Sequence, residues 1–409
     1  MKNSLTSATT ALLAALLCMS AQASDMESEL VARGRYISLL GNCQACHTTA
    51  GEKPYAGGVK LQSPFGTLVG SNITPDPETG LGQWAFDDFK RAMSEGKGRN
   101  GLLYPAMPYP YYHRVTDEDN TALWAYLKSI EPVRHPVQSN LLPFPYNQRY
   151  LMLGWNLLNF SSKPFEADPG RSPEWNRGAY IVEGLGHCGG CHTPKNLIGG
   201  DETSRALSGY VVDSWYATDI TANGYTGIGD WSVADITEYL RTGRNRFDTA
   251  SGPMAEVVND SSQHWTEADA KAVAVYLKES ASSTAKAPRP LGDEDPRLAR
   301  GADVYAFFCT GCHGATGRGV ARLFPPLADT ALVRGESPAS LLRIVLGGSR
   351  QGVDTALGAP GMPAFARHLD DRQIADVLTF LRNHWGNAAT PVSTEAVRTM
   401  RQQLKAGAK

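Results

Sequence analysis

The sequence predicts an all-α protein built from three tandem copies of one small helical unit. Three observations support this. A Cys-x-x-Cys-His motif occurs at residues 43–47, 188–192 and 309–313. The residues leading into each copy are alike: Arg33-Gly34-Arg35-Tyr36, Arg177-Gly178-Ala179-Tyr180 and Arg300-Gly301-Ala302. Each of these reads as the start of an amphipathic helix that ends at the cysteines. A chain of 409 residues is also too long for one hydrophobic core.

Taken in order, residues 1–23 read as a signal peptide, with Lys2, an apolar run over 11–19 and Ala21-Gln22-Ala23 before a cleavage point at Ser24. The first unit, 24–131, is expected to hold a leading helix, a middle helix over 86–94 and a closing helix over 117–130. A linker over 132–170 follows. It opens on a proline-flanked stretch and carries the apolar segment 150–160, whose length is roughly half of what spans a bilayer. Interrupted by Gly154 and Asn156, that segment reads as a buried linker helix. The second unit, 171–280, repeats the pattern with helices over 233–242 and 267–279. A Ser-, Ala- and Pro-rich linker, 281–296, leads to the third unit, 297–386, with a closing helix over 371–385. In the tail, 387–409, Ala396, Val397, Met400 and Leu404 form an apolar stripe beside Arg398, Arg401 and Lys405. A frayed solvent helix is its commoner meaning, and a membrane foothold is the alternative.

Six of the seven cysteines lie in the three motifs, and the seventh, Cys18, leaves with the signal peptide. Two cysteines three apart on a helical turn present both sulfurs to one edge of a porphyrin, where they form thioethers with its vinyl groups. The next histidine then lies beneath the iron. A redox disulfide has no use for that histidine, and pairing motifs into four-thiolate zinc sites would orphan one of the three. The motifs therefore predict three covalently bound haem c groups. Cys43 and Cys46, Cys188 and Cys191, and Cys309 and Cys312 are the attachment points, and His47, His192 and His313 the proximal ligands.

Downstream of each motif stands a Pro-flanked methionine: Met107 in Tyr-Pro-Ala-Met-Pro, Met254 in Gly-Pro-Met-Ala and Met362 in Gly-Met-Pro-Ala. Proline keeps each out of a helix interior, in a loop from which the thioether can reach iron. Met93 lies in a helical pattern and is not expected to serve. The remaining histidines lack metal-ligand spacing. His187 reads as a structural or solvent residue, and His113, His264, His368 and His384 as surface residues or propionate neighbours. The first two units also share an insertion, Ser71-Asn72-Ile-Thr74 through Trp84 and Thr218-Asp219-Ile-Thr221 through Trp231. It reads either as a cover over a haem edge, with the tryptophans packing, or as an ordinary surface loop. Each unit then fits a cytochrome c-like domain with haem as most of its core.

Net charge is −2 with no basic tract, so nucleic acid is not an electrostatic target. Past residue 23 no apolar run approaches a bilayer-spanning length, which leaves a soluble or peripheral protein with a protein or quinone partner.

The order of the motifs, with Tyr-Pro-Ala-Met-Pro-Tyr, Gly-Leu-Gly-His-Cys-Gly-x-Cys-His-Thr-Pro and Gly-x-Pro-Gly-Met-Pro-Ala-Phe, resembles the triheme cytochrome c subunits of membrane-bound periplasmic dehydrogenases. The resemblance runs from about residue 30 to 385. It implies a catalytic dehydrogenase subunit of flavin, quinoprotein or molybdenum type as partner, in some complexes with a small third subunit. It further implies ubiquinone as acceptor and a place on the periplasmic side of the cytoplasmic membrane. With His–Met ligation throughout, no iron offers an open position, so the chain is expected to conduct electrons and not to catalyse. The rival reading, a stand-alone multihaem peroxidase or thiosulfate-oxidising enzyme, needs a vacant iron.

Overall fold

In a computed structural model that describes residues 26–138, 140–349 and 361–407, one helix crossing recurs three times. The expected signal peptide lies outside the described residues. Leading helices run over 26–40, Pro173–Tyr180 and Pro296–Phe308, the second continued by a π-helical turn, Ile181–Leu185. The closing helices are Asp117–Ser129, Glu267–Lys278 and Asp371–Leu381. Each closing helix starts on a side-chain cap, with Thr116, Thr266 and Asp370 accepting from the N–H of Asp119, Asp269 and Gln373.

The crossings fall at Gly34, Gly178 and Gly301. A Cβ there would lie 1.9 Å from the Ala122 carbonyl oxygen, 2.0 Å from that of Ala272 and 2.3 Å from that of Asp376, so only glycine lets the two backbones touch. The preceding arginine pairs with a closing-helix aspartate: Arg33 with Asp119 at 2.7 Å, Arg177 with Asp269 at 2.7 Å and Arg300 with Asp376 at 2.6 Å. The Arg-Gly pairs thus lie inside the leading helices and not at their starts, because the crossing needs them mid-helix.

The first two units are joined reciprocally. Tyr36 of the first donates to Asp269 of the second at 2.7 Å, and Tyr180 of the second donates to Asp119 of the first at 2.6 Å. Each aspartate therefore takes an arginine from its own unit and a tyrosine from the other. One buried cluster accordingly runs through both, from Ile37, Leu40 and Leu123 to Ile181, Leu185 and Val273. Asp303 takes the tyrosine's position in the third unit, which has its own core around Leu342, Ile374 and Leu378. It meets the second unit elsewhere. Ser340 bonds both backbone groups of Tyr216, the Tyr225 hydroxyl donates to the Ala388 carbonyl at 2.7 Å, and Arg244 donates to the Arg322 carbonyl.

Two expectations about helix burial need correction, whereas the expected helical class stands, with a few short strands beside the helices. Lys60–Ser63 and Gly66–Val69 form an antiparallel hairpin, to which Asn140–Leu141 of the first linker adds a strand, and Tyr210–Val212 pairs with Trp215–Ala217. Gly66, at a φ of 122°, allows the first turn. The linker helix, Leu151–Asn159, buries none of its side chains. The tail helix, Thr394–Gly407, neither frays nor offers its stripe outward, because Val397 and Met400 are buried in the third core and Arg401 bonds Asp371 and the Leu369 carbonyl. The middle helices, Phe86–Glu95 and Val233–Thr242, and the two earlier closing helices agree with expectation to within a residue. The last closing helix stops at Leu381, where buried Arg382 turns to the carbonyls of Val333, Gly335 and Thr390.

Gly178→Ala should destabilise the chain by about 2–3 kcal/mol in urea denaturation, since the clash outweighs the roughly 1 kcal/mol that alanine gains in helix propensity. Burial opposes ionisation of Asp269, yet the hydrogen bonds from Arg177 and Tyr36 prevail and hold its carboxyl below the ordinary range. A carboxylate depressed in the folded state stabilises above its unfolded pKa of about 3.9 and loses that contribution as pH falls through the folded value. Asp269→Asn should therefore lower the melting temperature at pH 7 and flatten its decline below about pH 4.

Candidate haem-attachment sites

Each Cys-x-x-Cys-His motif forms a short helix or helical turn directly after its leading helix: Cys43–His47, Gly189–His192 and Thr310–His313. Asn42, at a φ of 49°, and His187, at 36°, make the sharp turns into the first two. None of the six cysteines is bonded to another. Cys191 and Cys312 are exposed, and the other four are half-buried. Burial pushes the thiols of Cys43 and Cys188 up to about 12 and that of Cys309 to about 11, the opposite of what a thiolate ligand or an attacking thiolate needs. No group of three or more His, Cys, Asp or Glu side chains that could hold a metal ion occurs among the described residues.

The three histidines share one geometry. The Nδ1 of His47 lies 2.6 Å from the Ser71 carbonyl oxygen, that of His192 2.6 Å from Thr218 and that of His313 2.9 Å from Pro325. A carbonyl can only accept, so each ring carries its proton on Nδ1 and presents an unprotonated Nε2, which makes no hydrogen bond to the described residues. Burial lowers the basicity of all three rings further and keeps them neutral, although the carbonyl bond opposes it. The backbone is held as well: the N–H of Gly57, Gly209 and Gly319 donates to the carbonyl of His47, His192 and His313. A neutral imidazole with Nδ1 tied to a carbonyl and Nε2 left over is the state in which histidine ligates iron.

The insertions of the first two units turn out to position those carbonyls. Ser71 and Thr218 immediately precede Asn72 and Asp219, both buried. Asn72 Oδ1 accepts from the Thr74 N–H and hydroxyl, and its Nδ2 donates to the Val133 carbonyl. Asp219 accepts from the Thr221 N–H, the Thr226 hydroxyl and the Ser283 hydroxyl. Each loop is thus stapled to the linker that follows its own closing helix. The repeated Ser/Thr-Asn/Asp-Ile-Thr string was visible in the sequence as self-similarity. Its role was not, because only the structure places the accepting carbonyl opposite the histidine. Trp84 and Trp231 pack into the shared core, Trp231 stacked on Phe247 at 5.4 Å.

Of the methionines, Met107 is half-buried against the shared core and Met362 against the third. Met107 sits in a turn ahead of the short helix Tyr109–Tyr112, and Met362 in an extended stretch where its carbonyl accepts from Ser349. Met254 departs from the loop expectation: it is the second residue of the helix Pro253–Asp260, whose first position is the proline. Proline excludes a residue from a helix interior but favours a first turn. Met254 packs on a small cluster of Ala250, Ala255 and Val258, which Tyr239 connects to the shared core. Met93 is buried in a helix, in agreement with its sequence pattern.

Around these residues the first two units interlock again. The helix Pro253–Asp260 packs against Cys43–His47, while Tyr111, four residues past Met107, reaches across to bond Asp201 and lies against Gly189. Burial and, after it, the nearby Cys191 raise the Cys46 thiol. His187 is wedged there, its Nδ1 on the Leu185 carbonyl and its ring edge-on to Tyr112 at 5.6 Å, which is the structural role expected. His113 is buried and bonded to Lys163, contrary to the surface reading.

The cytochrome c family profile matches residues 31–131 and 298–385. Full-length relatives narrow the class. The gluconate 2-dehydrogenase cytochrome c subunit of Pantoea cypripedii is 38% identical over 417 residues, 96% of this chain and 94% of that protein. The cytochrome c subunit of the alcohol dehydrogenase (quinone) of Gluconobacter oxydans is 37% identical, over 93% of this chain and 84% of its own length. A nicotinate dehydrogenase subunit of Pseudomonas putida is 40% identical over 92% of this chain, which spans only 32% of that longer relative. The chain belongs to the family of cytochrome c subunits of dehydrogenase complexes. Membership brings covalently bound haem c and electron transfer, with catalysis on substrate left to another subunit.

Asp219→Ala would leave the Thr221 N–H and the Thr226 and Ser283 hydroxyls without their acceptor. It should cost about 3 kcal/mol in urea denaturation, against less than about 0.5 kcal/mol for an exposed control such as Asp293→Ala.

Proposed function

We propose that the chain carries three haem c groups in three tandem cytochrome c domains, 24–131, 171–280 and 297–386. It would pass electrons from a periplasmic dehydrogenase subunit of flavin, quinoprotein or molybdenum type to ubiquinone. In this reading residues 1–23 export the chain and the complex works on the periplasmic face of the cytoplasmic membrane. The observation that supports three equivalent sites is the repeated imidazole: His47, His192 and His313 each have Nδ1 on a carbonyl and Nε2 free, beside two unpaired cysteines.

A bound haem c supplies a one-electron iron couple whose potential is set by its axial ligands and surroundings. The residues do the rest. Cys43 and Cys46, Cys188 and Cys191, and Cys309 and Cys312 fix each group covalently. His47, His192 and His313 would each supply a nitrogen ligand, and their carbonyl partners hold the rings so that little rearrangement would accompany a change of charge. Met107, Met254 and Met362 would supply a weak, uncharged thioether donor to each iron, which favours the reduced state. A histidine and a methionine held to each iron would leave oxygen, peroxide and substrate no place to bind, which argues for the relay reading over a stand-alone enzyme. The helix Pro253–Asp260 packs against Cys43–His47 and Tyr111 lies against Gly189, so the first two motifs belong to one interlock, which supports exchange between those two sites.

Haem per chain, measured as pyridine haemochrome against amino-acid analysis, should be three, and two in Cys188→Ala/Cys191→Ala. A wild-type value of two, or a value unchanged by that substitution, contradicts the assignment. A large catalytic subunit should co-purify with the chain, and the complex should reduce a ubiquinone analogue; isolation of the chain alone contradicts the partner reading.

A further inference from the structure

We infer that the helix Leu151–Asn159, its lead-in over 141–150 and the turn at Leu197-Ile198 form the surface on which this chain docks to a lipid bilayer. The inference rests on the proposal that the complex works at a membrane and names the part that touches it.

The helix is inside out for a water-facing element. Its polar residues point inward: Asn156 Oδ1 accepts from the Tyr109 hydroxyl at 2.6 Å, and Asn159 Oδ1 accepts from Asn196 at 2.8 Å. Trp155 Nε1 donates to the Ile198 carbonyl at 2.9 Å and so ties the helix to the turn. Its leucines point outward. Leu153, Leu157 and Leu158 are 65%, 85% and 74% exposed, and Tyr150, Leu153 and Leu157 stack on one face at helical spacing. No atom lies within 4 Å of where a Cβ on Gly154 would be. Phe144, Tyr146, Leu141 and Ile198 extend the patch, and Leu197 is fully exposed. Contiguous exposed apolar area on this scale marks an interaction site.

Charge decides the occupant. Between residues 140 and 160 the one ionisable group other than tyrosine is Arg149. Its guanidinium is turned to the body, donating to the Leu102 carbonyl at 2.7 Å and covering the Tyr104 ring. The outward face thus complements hydrocarbon. A protein partner's interface carries about one hydrogen bond per 100–200 Å², and among the outward large side chains only Tyr146 and Tyr150 can donate one. Tyrosines beside exposed leucines and phenylalanine are the composition of a membrane–water boundary. Nine residues cannot cross a bilayer, and no helix among the described residues is long and apolar enough to do so. The helix therefore lies in the interface plane. The tail helix, the other amphipathic candidate, has its stripe buried in the third core.

The test uses the full haem-loaded chain and its complex with sucrose-loaded phosphatidylcholine vesicles. Wild type should sediment with them. Leu153→Glu/Leu157→Glu/Leu158→Glu should bind at least roughly a hundredfold more weakly, because each leucine that reaches hydrocarbon contributes roughly tenfold or more. Leu197→Glu, at a site with no packing to lose, should weaken binding by roughly tenfold. Haem content and co-purification of the catalytic subunit should not change. Unaltered vesicle binding in both variants overturns the inference. So does loss of the catalytic subunit with vesicle binding retained, which assigns the patch to a protein. Reduction of soluble ferricyanide by the variant complex should match wild type. If the wild-type complex fails that assay, the relay reading falls while the vesicle result stands.

Discussion

The contact between a leading-helix glycine and a closing-helix carbonyl fixes the rest of the structure. At Gly34, Gly178 and Gly301 two backbones meet where any Cβ would collide, and the arginine before each glycine locks the crossing to an aspartate. That crossing sets the direction in which the leading helix ends, and each helix ends at a Cys-x-x-Cys-His motif. The loop that returns from the motif brings a carbonyl to the histidine's Nδ1, and the tautomer follows from that bond.

Differences among the units follow from small changes in this scheme. Tyrosine three residues after the arginine lets the first two units exchange hydrogen bonds to each other's aspartates, so they share a core. The third unit has aspartate at that position, lacks the insertion and takes its carbonyl from Pro325, and it joins the second unit through Tyr216 and Tyr225. The bonds that join units run from first to second and from second to third, so the second unit is the middle of the series.

Much of this was legible in the sequence because covalent haem attachment demands a fixed string of residues and helices demand a period. The motifs, the repeats and most helix ends could be read directly. What could not be read depended on partners far away in the chain. The apolar run at 151–159 looked buried because composition does not say which side faces the body; Tyr109 and Asn196 decide that by holding Asn156 and Asn159 inward. The tail's stripe looked free because its receiving core lies in the helices Ala339–Gly347 and Asp371–Leu381. Met254 looked like a loop residue because proline forbids helix interiors and permits helix starts, and the sequence alone does not separate the two.

The central proposal is that each of three irons would be held by a histidine and a methionine, which would make the chain a conductor whose chemistry belongs to a partner subunit. Electron paramagnetic resonance of the fully oxidised chain tests it most directly. Three low-spin ferric signals, unchanged by added cyanide and with no high-spin component, are the expected result. A high-spin signal that cyanide converts to low-spin, in the intact haem-loaded chain, would show an open iron and contradict the account.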